Sequence, residues 1–397
     1  MTLNDWLNLL VRWTHLIAGI AWIGSSFYFI WLDQHLERTQ RADDPVEGSL
    51  WMVHSGGFYK VERRRIGPGQ MPAILHWFKW EAAITWISGF LLLIIVYYMS
   101  GGLNLVDPAV SKLAARPAVA VGLGTIIAGW FVYDALWQSP LSRRPALATA
   151  ISLALAALAT VLFTALLGGR AAFIHVGALF GTAMVANVWV RILPAQQKMI
   201  DVTAAGKTPD FSLSDKAKIR SVHNSYMTFP VLFIMLSNHF PALYAAPQRA
   251  LVLVLLMVAG AAARHIMIGK GASRGWAYVP VLAGFAGVFL LTQPAAGLRS
   301  DFHAGRTPGP VPQFAEVQTI IQTRCGTCHS RTPSAAGYGS APAGVMFDDE
   351  ASIRRLSMRI YQRAVVTKTM PLANVTGISD EERAVLARWV EHGAPAH

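Results

Sequence analysis

Residues 145–168 read PALATAISLALAALATVLFTALLG, a run of apolar and small residues without a charged side chain. A helix of this length is long enough to cross the hydrocarbon core of a bilayer, which takes about 20 apolar residues. The core helix of a water-soluble domain is normally amphipathic and does not need such an uninterrupted run. This stretch therefore predicts a transmembrane helix.

Seven further runs of the same kind extend this prediction to most of the chain. Of its 397 residues, 53% are hydrophobic and only 14% are charged, and the apolar runs end near Pro294. We expect an all-α integral membrane bundle of about eight transmembrane helices over residues 1–294. The predicted spans are 6–31, 72–99, 118–137, 145–168, 171–193, 222–240, 247–267 and 276–293.

The loops between the predicted helices differ in charge. Because basic residues resist translocation, the basic loops should lie in the cytoplasm, with both termini in the periplasm of a bacterial inner membrane. The first helix should be retained, since neither a basic segment nor a cleavage pattern accompanies it. The basic clusters follow the first, third, fifth and seventh helices and are Arg38/Arg41/Lys60/Arg63/Arg64/Arg65, Arg143/Arg144, Lys198/Lys207/Lys216/Lys218/Arg220 and Lys270/Arg274.

A weak internal similarity links the first and fifth predicted helices. The first contains His15-Leu-Ile-Ala-Gly-Ile-Ala-Trp-Ile-Gly and the fifth contains His175-Val-Gly-Ala-Leu-Phe-Gly, and a basic loop follows each. Parallel repeats occur in some membrane transporters. Two parallel four-helix repeats are one interpretation, and a chance likeness between Gly- and Ala-rich helices is the other.

The membrane part carries nearly all of the formal net charge of +12. Residues 300–397 are almost neutral, with 10 Lys and Arg against 9 Asp and Glu. The positive charge lies mainly in the loops that are predicted to be cytoplasmic, so it does not indicate a nucleic-acid partner. Residues 295–312 are rich in Pro and Gly, which predicts a linker to a separate domain over 313–397.

That domain contains both cysteines of the chain, in the sequence RCGTCHS at 324–330. In a C-x-x-C-H motif the two thiols form thioether bonds to haem, and the adjacent histidine binds the iron. A bare redox C-x-x-C is the alternative; the adjoining histidine and the flanking helices favour haem. We therefore predict a small class I-like cytochrome c domain with haem c attached at Cys325, Cys328 and His329.

The second iron ligand should be a methionine well downstream of the motif. Met370 precedes Pro371 in an extended loop, and Ser379 with Glu382 forms a capping box for a terminal helix. We predict that Met370 and His329 are the two ligands of the haem iron. Met346 and Met358 are the alternatives, although Met358 falls on a helical segment.

Four histidines lie in or at the ends of predicted membrane helices: His15, His76, His175 and His223. Polar groups are costly there and need partners. The pairs His15 with His175 and His76 with His223 would suit haem b or another metal between facing helices. For each histidine alone, an ordinary interhelical hydrogen bond is the simpler interpretation.

The second predicted helix opens with HWFKWE at 76–81. A pocket lined by His76, Lys79, Glu81 and tryptophans, open to the cytoplasm, would suit a flat anionic substrate, so these three are the candidate catalytic residues. Several of the other charged residues near this face would snorkel to the surface. The set is Asp33, Asp134, Arg191, Arg220 and Arg264.

Taken together, these stretches resemble the membrane-bound urate oxidase family of bacterial purine catabolism. The resemblance covers nearly the whole chain. Its motifs are RWTHLIAGIAWIGSSFYF at 12–29, HSGGFYKVE at 54–62, HWFKWE at 76–81 and CGTCH at 325–329.

The resemblance implies oxidation of urate to 5-hydroxyisourate. Electrons would pass through haem c to an acceptor of the respiratory chain, either a cytochrome c or a terminal oxidase, rather than directly to oxygen. It assigns no catalytic residue in the membrane part. A rival interpretation, a bundle that oxidises a quinol in the lipid bilayer and has no soluble substrate, is equally compatible with the composition and periodicity.

Overall fold

The computed structural model describes residues 3–38, 45–68, 70–269, 272–293, 307–335 and 338–396. The chain is mostly helical, as predicted. The helices are α1 Leu3–His35, α2 Trp80–Leu93, α3 Ala115–Gln138, α4 Pro145–Leu166, α5 Gly169–Ala186, α6 Leu193–Ala204, α7 Ser212–Ser237, α8 Pro241–Tyr244, α9 Arg249–Ile268, α10 Ala272–Trp276, α11 Tyr278–Thr292, α12 Phe314–Arg324, α13 Glu350–Arg355, α14 Ser357–Ile360 and α15 Asp380–Glu391.

Three π-helical segments extend or join these helices. The first continues α2 over Ile94–Tyr98, the second joins α5 to α6 over Asn187–Ile192, and the third follows α14 over Tyr361–Val366. Short 3-10 turns lie at Pro140–Arg143, Pro342–Gly344 and Leu372–Asn374. Wider π turns are rare and occur often at functional sites.

Seven helical stretches among the described residues are long and apolar enough to cross a membrane. Their outward faces carry exposed large apolar residues such as Leu158 and Leu290, at 65% and 70% exposure, as expected of a surface that meets lipid. The arrangement is compatible with a multi-pass membrane protein. The stretches are Leu3–His35, Trp80–Tyr98, Ala115–Gln138, Pro145–Leu166, Gly169–Ala204, Arg249–Ile268 and Ser273–Thr292.

The predicted sixth span, 222–240, falls on α7, which is more polar than the other seven. Its buried residues include Arg220, Asn224 and Ser225. It runs antiparallel to α5, because Asn187 donates to Asn224 at one end and Arg170 donates to Asn238 at the other. Residues 170 and 187 are about 25 Å apart along a helix. The count of eight spans stays a prediction, and this pairing is compatible with it.

Helix α2 begins later than the sequence pattern predicted. Residues 71–79 are not helical, so His76 and Lys79 precede the helix and only Glu81 lies within its first turn. This non-helical approach lets Phe78 pack edge-on against Phe29 of α1, with ring centroids 5.2 Å apart. The prediction that His76 opens a transmembrane helix was therefore wrong.

The loop after α1 forms a small antiparallel sheet, which the all-α prediction missed. Its strands are β1 Glu37–Arg38, β2 Val46–His54 and β3 Gly57–Arg64, in the order β1-β2-β3. Ser55 and Gly56 both have positive φ, at 49° and 76°, as a two-residue hairpin turn requires. The segment VEGSLWMVH at 46–54 does not alternate between apolar and polar residues, and the basic residues on both sides of it indicate a loop.

Helix α5 lies at the centre of the bundle, between α2, α3, α4 and α7. Phe173, His175 and Val176 of α5 are fully buried. Close approach to α7 depends on Gly177, where an added Cβ would lie 2.8 Å from Ile234. Small residues give membrane helices the close packing that holds them together.

The C-terminal unit, residues 307–396, has its own core. Helices α12 and α15 pack together, with the Phe314 and Trp389 rings 6.0 Å apart, and Ile321 and Leu386 are fully buried. The predicted capping box of Ser379 and Glu382 is confirmed at the start of α15. The predicted linker 295–312 lies mostly outside the described residues.

Candidate functional site

A cleft lies at the end of the bundle where α1 ends and α2 begins, here called the basic end. Its volume is about 210 Å³, which suits a small planar molecule rather than a drug-sized ligand. Of the three predicted catalytic residues, only Lys79 lines it. We call it the tryptophan cleft. Its lining residues are Trp77, Lys79, Trp189, Leu193, Pro194 and Gln197.

Aromatic rings surround the ammonium group of Lys79. Its Nζ lies 5.4 Å from the centroid of the Trp77 ring and 5.9 Å from that of Trp80, which are cation–π distances. Trp80 meets Trp189 edge-on at 5.5 Å. The cleft thus combines flat apolar walls with one positive charge.

The π-helical segment Asn187–Ile192 forms one wall of the tryptophan cleft. It carries Trp189 on the cleft side, while Asn187 and Arg191 bond to residues of α3 and α7. Trp189 could not be identified from the sequence, because neither hydrophobic periodicity nor a motif marks a π turn.

Behind that wall lies a buried ion network centred on Asp134. Its carboxylate accepts hydrogen bonds from Arg191 Nε at 2.9 Å, Arg220 Nη2 at 2.8 Å and Gln138 Nε2 at 2.8 Å. The Arg220 side chain is only 6% exposed. Asp134 and Arg220 are therefore not among the charged residues that snorkel to the surface, because each satisfies the other inside the bundle.

His223 lies beside this network and not beside His76. Its Nδ1 is 2.7 Å from the Tyr133 hydroxyl, and its ring packs against Trp137. His76 is exposed and lies outside the helices. The described residues thus show no contact between these two histidines.

His15 and His175 also have separate partners. His15 Nδ1 is 2.9 Å from the Thr85 carbonyl oxygen and 3.2 Å from Ser88 Oγ. His175 uses both ring nitrogens: Nδ1 is 2.8 Å from the Ala171 carbonyl and Nε2 is 3.0 Å from the Tyr98 hydroxyl. In this arrangement His175 has no free nitrogen for a metal.

Glu81 lies in the first turn of α2, two residues after Lys79, and does not line the tryptophan cleft. Its Oε2 is buried and has no hydrogen-bond partner among the described residues. A buried carboxyl oxygen without a donor is costly, which makes it a candidate for a functional role. The described residues contain no cluster of three or more His, Cys, Asp or Glu side chains placed to hold a metal ion.

The C-x-x-C-H motif in the C-terminal unit lies at the end of α12. His329 Nδ1 donates to the Val345 carbonyl at 3.0 Å, which fixes the ring and leaves Nε2 available. This is the orientation of a histidine that binds a metal through Nε2. The half-buried motif residues therefore fit the proximal side of a haem.

The pKa values of this motif do not match a redox dithiol. Burial, with a contribution from the neighbouring Cys328, raises the pKa of the Cys325 thiol to about 12, whereas redox C-x-x-C motifs lower the pKa of one thiol. Burial also lowers the pKa of His329, so this imidazole is neutral at pH 7, as a metal ligand must be.

The candidate methionines differ in how firmly they are held. Met370 is half-buried; its N–H donates to the Arg363 carbonyl, and its own carbonyl accepts from Arg383, each at 3.0 Å. Met346 is 39% exposed and Met358 is 46% exposed. Met346 also lies between Val345 and Phe347, which both bond to His329, so it is on the His329 side.

Comparisons with known proteins address the membrane part. No curated protein and no solved structure matches the chain. The model of one protein family, described as urate oxidase N-terminal, matches residues 1–293. This confirms the resemblance seen in the motifs of helices α1 and α2. The chain belongs to the urate oxidase N-terminal family.

Proposed function

We propose that the protein is a membrane-bound oxidoreductase that converts urate to 5-hydroxyisourate and delivers the electrons through haem c to the respiratory chain. The family match over residues 1–293 carries the assignment of urate as the substrate. The C-x-x-C-H motif with its oriented His329 supports the electron outlet.

Urate is a flat, anionic purine at neutral pH, and the tryptophan cleft has the features to bind it. Trp77 and Trp189 offer faces for stacking, and Lys79 offers the positive charge. Hydrogen bonds to a charged group contribute about 1.5–3 kcal/mol. Gln197 on the same wall offers an amide for the polar edge of the purine.

The reaction releases protons as well as electrons. Urate and water give 5-hydroxyisourate, two electrons and two protons, so a base must lie near the bound purine. Glu81 is our choice, because it follows Lys79 by two residues and its buried Oε2 has no hydrogen-bond partner among the described residues. His76, which is exposed, would exchange protons with the solvent.

The C-terminal unit is proposed to be a class I-like cytochrome c domain. Cys325 and Cys328 would attach the haem, and His329 and Met370 would bind its iron. The haem supplies one-electron transfer, so two electrons from urate leave in two steps. The residues of the chain orient His329 through Val345 and hold the Met370 loop through Arg363 and Arg383.

An eight-span topology in a bacterial inner membrane, with both termini periplasmic, supports this route. The C-terminal unit touches the bundle at the end opposite the basic end: Arg363 Nη1 donates to the Tyr244 hydroxyl at 3.4 Å. Tyr244 follows α7, so this contact is consistent with α7 crossing the bundle. The basic loops then face the cytoplasm.

The tryptophan cleft and the haem c lie at opposite ends of a hydrocarbon core of about 30 Å. A relay such as haem b or another metal therefore belongs to the proposal. Of the four histidines predicted to hold it, His175 has both nitrogens bonded, whereas His15 and His223 each use only Nδ1 among the described residues. His15 and His223 are the better candidates.

Anaerobic addition of urate to the detergent-purified protein tests the proposal. The haem c spectrum should change from oxidised to reduced with wild-type protein and Lys207→Gln, an exposed lysine outside the cleft. Lys79→Gln should need far more urate. Reduction by a quinol but not by urate would refute urate as the substrate and support the quinol-oxidising alternative.

A further inference from the structure

Two arginines lie together where α2 ends and α5 begins, here called the far end. Arg170 Nε donates to Asn238 Oδ1 at 2.8 Å, and the buried Tyr97 lies within electrostatic range of the Arg170 guanidinium. Arg12 of α1 donates to Asn8 and is close enough to Arg170 for the two charges to repel. Neither arginine forms an ion pair with a described carboxylate.

Two guanidinium groups at the edge of a low-dielectric bundle repel each other unless an anion lies between them. At the basic end, by contrast, Asp134 pairs with Arg191 and Arg220, and Asp33 pairs with Arg63 and Lys218. Arg12 is exposed and Arg170 is half-buried, so both are open to a ligand.

The C-terminal unit contacts the bundle close to Arg170, through Tyr244. Tyr244, which accepts the hydrogen bond from Arg363, packs its carbonyl on Gly169, where an added Cβ would collide with it. Gly169 immediately precedes Arg170 in the chain.

Tyr338 gives a second link between the two parts. It follows the C-x-x-C-H motif and lies within electrostatic range of both Cys328 and Arg170. The pKa of its phenol is raised by burial and by Cys328, and lowered by Arg170. The half-buried Tyr338 is therefore near both the predicted haem attachment site and the far end.

We propose that Arg12 and Arg170 bind the propionate groups of the haem c, so that the haem carboxylates are the missing anions of the far end. This rests on the haem c of the proposed function. A haem carries two propionates, and a guanidinium pairs with a carboxylate in a bidentate manner. The pairing would fix the haem edge against the bundle, over the Tyr97 end of α2, where electrons leave the membrane part.

The midpoint potential of haem c tests this in the full-length, haem-loaded protein. Positive charge beside a haem favours the reduced state, so Arg12→Gln with Arg170→Gln should lower the potential and make it depend more steeply on pH as the propionates lose their partners. Arg170→Lys should keep most of the wild-type potential. Arg116→Gln, an exposed arginine at the start of α3, should not change it.

An unchanged potential in a double variant that still stains for covalent haem would overturn the inference. A phosphate headgroup of an anionic lipid is the other source of the same chemistry. Loss of bound anionic lipid from the double variant, with no change in potential, would assign the arginines to lipid and also overturn it. Absence of covalent haem from the wild-type protein would instead refute the proposed function.

Discussion

Two histidines show how differently the membrane bundle and the C-terminal unit use the same residue. His175 of α5 is fully buried, and both of its ring nitrogens are bonded, to the Ala171 carbonyl and to the Tyr98 hydroxyl. His329 is half-buried and bonds through Nδ1 alone, to the Val345 carbonyl.

The difference lies in what surrounds each ring. The Nε2 of His175 faces Gly122 of α3, where an added Cβ would lie 2.8 Å away, so a neighbouring helix occupies the space that a flat cofactor needs. His329 lies beside a loop-rich segment and two cysteines. A buried histidine in a helix thus does not by itself indicate a cofactor. A cofactor ligand needs a ring nitrogen without a hydrogen-bond partner and open space in front of that nitrogen.

Replacing both cysteines should have the largest effect, on haem attachment and on electron transfer. Cys325→Ala with Cys328→Ala should abolish haem staining on a denaturing gel and all urate-dependent electron transfer, because the thioether bonds cannot form. Met370→Ala should keep the stain and change the absorption spectrum of the reduced protein. A double variant that still stains would place the covalent haem elsewhere.

Breaking the buried ion network should strongly destabilise the bundle. Asp134→Asn leaves Arg191 and Arg220 without a carboxylate, which costs about 3–5 kcal/mol in the free energy of unfolding. Thermal denaturation in detergent should show a lower Tm. The matched control is Glu47→Gln, whose partners Arg63 and Arg65 are exposed, so the loss should stay below about 1 kcal/mol. Equal Tm values for both variants would contradict the buried role of Asp134.

Lys79 tests whether the bundle binds the substrate at the tryptophan cleft. Lys79→Gln should remove a charge-assisted hydrogen bond of about 1.5–3 kcal/mol, equivalent to roughly a ten- to a hundredfold rise in KM for urate. Steady-state kinetics with an artificial electron acceptor measure this. An unchanged KM would mean that urate binds at another place.

His175 distinguishes a structural contact from a cofactor ligand. His175→Asn should cost about 1–3 kcal/mol, because the Tyr98 hydroxyl loses its partner, and should leave the content of non-covalent haem unchanged. Tyr98→Phe is the matched partner variant. A pyridine haemochrome assay that shows loss of haem b with His175→Asn alone would make this histidine a ligand.

The smallest effect is expected in the C-terminal unit. Ser379→Ala removes the cap of α15 and should lower its unfolding free energy by about 0.5–2 kcal/mol. Haem staining and urate-dependent reduction should continue at 25 °C, and the Tm of the C-terminal unit should fall. Calorimetry of the intact protein would show whether this transition separates from that of the bundle.

Much of the architecture could be predicted because long apolar runs can be recognised in the sequence alone. The run 145–168 corresponds to α4 at Pro145–Leu166, and the run 118–137 lies within α3 at Ala115–Gln138. Backbone groups in lipid must bond within their own segment, so composition alone indicates a helix. The capping box at Ser379 is likewise local and was confirmed.

The sheet after α1 and the start of α2 were missed for different reasons. The Ser55-Gly56 turn was a local signal for the sheet, but VEGSLWMVH does not alternate between apolar and polar residues and the charge of the loop obscured the turn. The non-helical approach to α2 has no such signal, because HWFKWE is compatible with a helix. In the folded chain Phe78 of this segment packs on Phe29 of a distant segment, a contact that the local sequence does not specify.

The sequence by itself determined the helical bundle, the family motifs and the single C-x-x-C-H motif, since each depends on residues that are close in the chain. The tertiary structure alone decided which polar residues meet: Asp134 with Arg220, Lys79 with Trp189 across the cleft, and His175 with Tyr98 instead of His15. Such pairs join segments far apart in sequence. Their partners depend on how the helices rotate and pack, and no local pattern encodes that.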